Sequence, residues 1–227
     1  MAEDRLKGST GAGGLGRKGK DPARGRRERR PVTAGPAPTE ARLHEAALNH
    51  LARFAATEAG LARVLSRRVG RWAQRAAQEG MAPEAIAPVV AAGREAAKAV
   101  AKRMVAAGTV DDAAFAAART RSLSRAGRSR RAIAAHLAAK GVAGETASET
   151  IEEAETDEVT AALGHLRRRR QGPFDRAPPE DAEAARASRM KAMGALARAG
   201  FPREVAEAAL GMEPAEAEAR IIASRRG

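Results

Sequence analysis

The 227-residue chain has no cysteine and no tyrosine, and its aromatic content is only 2%. Without cysteine there can be no disulfide framework, thiol nucleophile or thiolate metal ligand, which suits a reducing compartment. Only Phe54, Trp72, Phe115, Phe174 and Phe201 are aromatic. The first three fall on faces expected to be core, so a platform for stacking nucleic-acid bases is not expected. No segment approaches eighteen uninterrupted apolar residues, and the N-terminus lacks the apolar run of a secretory signal. The chain is therefore expected to be cytoplasmic, with no membrane partner. Negative charge is also in short supply. Against 41 Lys and Arg stand 28 Asp and Glu, a net charge of +13 and a pI near 11.3, which favours polyanionic partners.

What is present is alanine in helical spacing. Much of the 44% hydrophobic content is alanine, so the core must be built by helices that approach closely. From Thr39 onward, Leu43, Ala47 and Leu51, then Leu61, Leu65, Val69 and Trp72, recur on one helix face, and no alternation of period two competes. Phe54 is expected to continue the first of these faces. Pro83 and Pro88 punctuate the chain, and a longer helix is predicted from Pro88 to Ala107, closed by Gly108. Asp111 or Asp112 suits the cap of the next helix, on which Phe115, Ala118, Ser122, Leu123 and Ala126 cluster. Arg119 falls on that apolar side and must snorkel or meet a partner. Gly127 breaks the helix, Ser129 can cap another carrying Ile133 and Leu137, and Gly141 stops it. An acidic helix follows near Glu145 to Glu155. The plan then recurs, with a helix near Asp157 to Arg170, a break at "QGPF" and a helix from about Glu180. "LARAGF" repeats the spacing of "LAAKGV".

The expected fold is all-α: three consecutive three-helix repeats in an elongated arrangement, preceded by a disordered basic N-terminal arm. The boundaries are residues 1–38 for the arm, 39–110, 111–156 and 157–212 for the units, and 213–227 for a C-terminal tail with some helical character.

Catalytic constellations are missing. "GLGRKGK", Gly14 to Lys20, has part of the spacing of a phosphate loop. Asp21 stands where Ser or Thr is needed, and no strand precedes it. His44 and His50 are six apart and share no helix face as a metal pair would, and His136 and His165 are isolated. The seven acids of "ETASETIEEAETDE" have no base among them and read as a solvated helix face. No cofactor, metal or small-molecule substrate is expected, and no enzyme.

The strongest positive signal is "RTRSLSRAGRSRRAIAAHLAAKGV", Arg119 to Val142, inside a run from Ala113 to Gly144 without one acid. "VDDAAFA", with Ile133, Leu137 and "KGV", resembles the RecX family, regulatory proteins that modulate RecA recombinase. "ALNHLARFAATEAGLARVLSRRV" resembles the first repeat of that family. "RRRRQGPF" and "LARAGFPREVAEAAL" resemble the start and end of its third. The likeness covers about Glu40 to Gly211, and Asp111, Asp112, Phe115 and Ala116 form its most specific cluster. Ser129 stands where the family often has glycine, and His136 where it often has an acid.

The resemblance implies a non-enzymatic regulator lying along the groove of a RecA–DNA filament, commonly restraining filament growth, strand exchange and coprotease activity. The candidate partner-binding residues are Arg119, Arg121, Arg125, Arg128, Arg130, Arg131 and Lys140, with Arg167, Arg168, Arg169 and Arg170. Their targets would be acidic side chains of the recombinase and DNA phosphates. Composition by itself also allows a sequence-independent DNA-binding structural protein.

Overall fold

A core poor in aromatics is filled by bringing helix backbones together, and alanine permits it. The computed structural model describes residues 33–154, 157–176 and 180–224. Residues 1–32, with most of the expected arm and the glycine-rich Gly14–Lys20, lie outside the described residues. Within them are ten α-helices, one 3-10 turn and no strand.

The buried residues fall into three clusters. In the first, α1 (Glu40–Leu51), α2 (Glu58–Gln78) and α3 (Pro83–Ala106) enclose Leu43, Leu61, Leu65, Val69, Val100 and Met104. In the second, α4 (Asp112–Arg125), α5 (Arg130–Lys140) and α6 (Gly144–Glu153) enclose a smaller apolar cluster of Ala116, Ile133, Leu137, Val142, Ala147 and Ile151. In the third, α7 (Glu158–Arg169), α8 (Ala182–Arg198) and α9 (Arg203–Leu210) meet around Leu163, Leu166, Leu196 and Phe201. Here α10 (Pro214–Ala223) adds Ala217 and Ile221, so the helical core runs past residue 212.

Side-chain caps set half of the α-helix starts. Side chains of Thr57, Asp111, Ser129, Asp157 and Asp181 each accept a hydrogen bond from the amide three residues on, satisfying one of the free N–H groups of a first turn. Three expectations are corrected. Pro88 does not start α3 but lies in its second turn, where its missing N–H deprives one exposed carbonyl while the helix continues from Pro83 at its N-terminus. Phe54 lies beyond the end of α1 and is 54% exposed, because the chain has left the helix before the apolar period reaches it. On α4 the buried line is Ala116 and Thr120, flanked by half-buried Phe115 and Leu123, whereas Ala118, Ser122 and Ala126 are exposed. Residues 33–38 run along α2. The Trp72 indole N–H donates to the Gly35 carbonyl at 3.2 Å, and the Ala34 amide donates to Glu79 Oε1 at 2.7 Å.

Asp157 belongs to the acidic run read as a solvated face, yet it is tied into the third cluster. It accepts from the Thr160 amide at 3.1 Å and the Thr160 hydroxyl at 2.6 Å, and pairs with Arg220 of α10 at 3.0 Å. Burial alone would push its carboxyl up. The hydrogen bonds from Thr160 and Arg220, with the Arg220 charge, outweigh burial and hold it below the usual carboxylate value. Asp157→Ala is expected to lower stability by about 1 kcal/mol at neutral pH, as loss of a capping carboxylate does. The contribution is present in full above the ordinary value of 3.8 and is lost as pH falls through the depressed one. The gap between variant and parent in urea midpoint should therefore close below pH 3.8.

Candidate functional site

Two junctions between successive helix groups place the basic residues, and they are built alike. The Thr57 hydroxyl caps α2 by accepting from the Gly60 amide at 2.9 Å, and donates at 2.6 Å to the Lys140 carbonyl at the end of α5. The Ser129 hydroxyl caps α5 by accepting from the Ala132 amide at 3.2 Å, and donates at 2.8 Å to the Ala199 carbonyl at the end of α8. Both hydroxyls are buried, and each uses its donor and an acceptor site. Beside them a carboxylate from the following group caps the same helix start. Asp112 accepts from the Glu58 amide at 2.8 Å, and Glu158 from the Arg130 amide at 2.9 Å. Asp111 thus caps its own helix while its neighbour Asp112 caps another.

Each accepting carbonyl precedes or adjoins a glycine in the left-handed region, Gly141 at φ 88° and Gly200 at φ 87°. A Cβ at Gly141 would collide with that of Ala59. A Cβ at Gly200 would stand 2.9 Å from Ser129 Oγ. Ser129 is the hydrogen-bond donor of the second junction.

The first junction forms one end of a groove of about 1210 Å³ between α2 and α4. Leu48, Leu51, Phe54, Val64, Val110 and Phe115 supply its apolar surface, and Arg53, Arg63, Arg67, Arg119 and Lys140 its cations. Asp111 is the acid among the lining residues and is occupied by the Ala114 amide. Arg63 is committed to the fold, its guanidinium donating to the carbonyls of Ala139 and Lys140. Arg53 lies over the Phe54 ring, 5.5 Å from its centroid. Arg119 meets its partner. Its Nε donates to His136 Nε2 at 3.1 Å, so this imidazole is an acceptor and neutral. Burial, and then the charges of Arg119, Lys140 and Arg128, hold His136 below the ordinary histidine value. An acid at this position would have formed an ion pair with Arg119; histidine leaves the arginine's charge uncancelled.

The other sequence candidates divide. Arg121 and Arg125 are exposed one helical turn apart on α4. Arg131 packs its Cβ and Cγ against Gly200. Arg130 is exposed and its amide serves the second junction. Arg167 pairs with Glu218 of α10 at 3.0 Å and is tied to the fold rather than presented. Arg170 ends α7 in the left-handed conformation at φ 54°. Arg128, Arg168 and Arg169 gather with His165 around a second cleft, of about 440 Å³, beside the second junction.

Sequence reasoning missed Arg53, Arg63 and Arg67 as companions of Arg119 and Lys140. The signal was there: α2 carries five arginines between Glu58 and Glu79 with no acid among them. It was hidden by the denser run in α4 and α5. Among the described residues no group of three or more His, Cys, Asp or Glu could hold a metal ion, and no helix is long and apolar enough to cross a membrane.

The chain is similar in sequence to known proteins. A family model described as RecX, second three-helix domain, matches residues 111–151. The chain is 37% identical over 175 residues to the regulatory protein RecX of Myxococcus xanthus strain DK1622, an alignment that covers 76% of this chain and 86% of that one. It is 38% identical over 109 residues to the regulatory protein RecX of Agrobacterium fabrum strain C58, covering 48% and 55% respectively.

Proposed function

Because this chain belongs to the RecX family, we propose that it regulates RecA recombinase by binding the RecA–DNA filament along its groove, without catalysing a reaction of its own. The observation that carries the reading is the groove between α2 and α4. Cations from three helices and the α1–α2 loop converge on an apolar floor, and the side chains of Arg67 and Lys140 have no ion pair among the described residues. Such a surface suits protein acids that flank an apolar side chain. A DNA backbone needs the charge but has no use for the exposed Phe54 and Leu48. The exposed arginines of α4, Arg121 and Arg125, lie outside this groove and face DNA phosphates or further recombinase acids. The folded helix groups span successive recombinase subunits, and filament growth, strand exchange and coprotease activity fall together.

The test is the ATPase of RecA on single-stranded DNA, titrated with this protein, alongside capture of RecA in the absence of DNA. The expected result is a fall in ATPase at stoichiometries well below one per recombinase subunit, together with DNA-independent capture. Unchanged ATPase and no capture, with binding to naked DNA retained, would mark the chain as a sequence-independent DNA-binding protein instead.

A further inference from the structure

The second cleft carries chemistry that filament contact at the α2–α4 groove does not use. It lies between the turn joining α4 to α5, the last two turns of α7 and the end of α8, and its polar side chains are Arg128, Ser129, His165, Arg168 and Arg169. No acid lines it. Ser129 is consumed by the junction, donating to the Ala199 carbonyl and accepting from the Ala132 amide. The three guanidinium groups have no ion-pair or hydrogen-bond partner among the described residues.

Arg168 runs back along α7 and lies over Gly127, with Nη1 3.4 Å and Nη2 3.6 Å from where a Cβ on that glycine would stand. It thus bridges α7 to the α4–α5 turn before any ligand arrives. His165 Nε2 is buried with no hydrogen-bond partner, while the ring packs edge-on to Phe201 at 5.9 Å between centroids. Three cations lining one cleft with an unpartnered imidazole nitrogen, and no anion among the described residues there, is an arrangement that costs stability unless something negative enters it.

We propose that this cleft binds a phosphate group, held by the guanidinium groups of Arg128, Arg168 and Arg169 and by a hydrogen bond from His165 Nε2–H. Phosphate is the anion that matches: it offers several acceptor oxygens at once, so it can satisfy forked donors and the imidazole together. Its source is a free phosphate ion or a nucleic-acid backbone. The backbone source rests on the proposed role at a RecA–DNA filament, whereas the free-ion source does not. Burial first, then the charges of Arg169, Arg168 and Arg128, hold His165 below the ordinary histidine value. A phosphate in the cleft counters those charges, so the imidazole becomes easier to protonate when the site is filled.

The experiment uses the full chain without recombinase and follows the imidazole signals by NMR, with His165 assigned by its loss in His165→Gln. Three probes are added at constant ionic strength: inorganic phosphate, a mixed-sequence single-stranded oligonucleotide, and the same oligonucleotide with an uncharged methylphosphonate backbone. The expected result is a saturable shift of the His165 signal and a rise in its titration midpoint, with little effect on His44 and His50. Response to inorganic phosphate identifies the free ion as a ligand. Response to the charged oligonucleotide, but not to the methylphosphonate, identifies the backbone.

Arg168→Gln should weaken the response about 10-fold or more, as loss of a charge-assisted bidentate contact does. Should that variant fail to keep its helical circular dichroism, Arg169→Gln at the exposed end of α7 carries the same expectation. An unperturbed His165 with all three probes, or a response undiminished in the folded arginine variant, overturns the proposal. Because no tube contains RecA, that failure leaves the ATPase result standing and is distinct from a failure of filament binding.

Discussion

Gly141→Ala should lower the stability of the chain on the order of 3 kcal/mol, the sum of left-handed strain for a residue with a side chain and an overpacked contact. Gly141 has φ 88°, and its new methyl would meet the Cβ of Ala59 at the start of α2. The two contributions separate in a double-mutant cycle. Ala59→Gly removes the colliding methyl and leaves the strain, so it should restore about half of the lost stability in the Gly141→Ala background, a coupling of the size neighbouring residues show. Urea midpoints of the four proteins measure it. A coupling near zero would mean that the contact between α2 and the end of α5 is not made in solution. Without the rescue, the collision would have to be absorbed by moving α2 away from α5, breaking the Thr57 hydrogen bond to the Lys140 carbonyl.

Reversing two charges in the α2–α4 groove, Arg67→Glu with Lys140→Glu, is expected to weaken binding to the RecA–DNA filament on the order of 100-fold at low salt. These two are chosen because their side chains make no hydrogen bond or ion pair among the described residues; the first junction uses only the Lys140 carbonyl. Helical circular dichroism should be unchanged. The loss should shrink as salt rises, since exposed charges are screened beyond about 8 Å at physiological ionic strength. Arg121→Glu with Arg125→Glu provides the comparison, on a face of α4 outside the groove. If the α4 pair abolished binding and the groove pair did not, the recombinase would sit on α4 and the groove would be empty.

What could be read from the chain beforehand was chemistry that acts over three or four residues. Asp111 and Ser129 cap the helices that follow them, Gly141 ends one, and the faces of Leu61, Leu65 and Val69 and of Ile133 and Leu137 are buried, because each depends on neighbours along the chain. What could not be read depends on distant partners. The acceptor that Arg119 needs is His136 on the next helix, and Asp157 is tied to Arg220, 63 residues on. Trp72 finds the Gly35 carbonyl in a segment whose glycine and proline content suggested no contact at all. Phe54 was misplaced because periodicity extends a helix face without knowing where the helix stops. The gathering of Arg128, Arg168 and Arg169 joins two regions each marked as basic, but their meeting around His165 requires the second junction.

The two junctions also give the chain a direction and a stop. In each, the hydroxyl belongs to the earlier group and the carbonyl to the later one, so the connection runs one way from α2 to α5 and from α5 to α8. At the next equivalent place, the cap of α8, stands Asp181. Its carboxylate accepts from the Ala184 amide but has no proton to offer a further carbonyl. At the opposite end Gly80, the left-handed glycine after α2, meets no described residue within 4 Å of where a Cβ would stand, whereas Gly141 and Gly200 each meet a neighbour. A version lengthened by one more group at its C-terminal end would therefore need Ser or Thr at 181 before it could be received, whereas one lengthened at the front would find an acceptor already waiting.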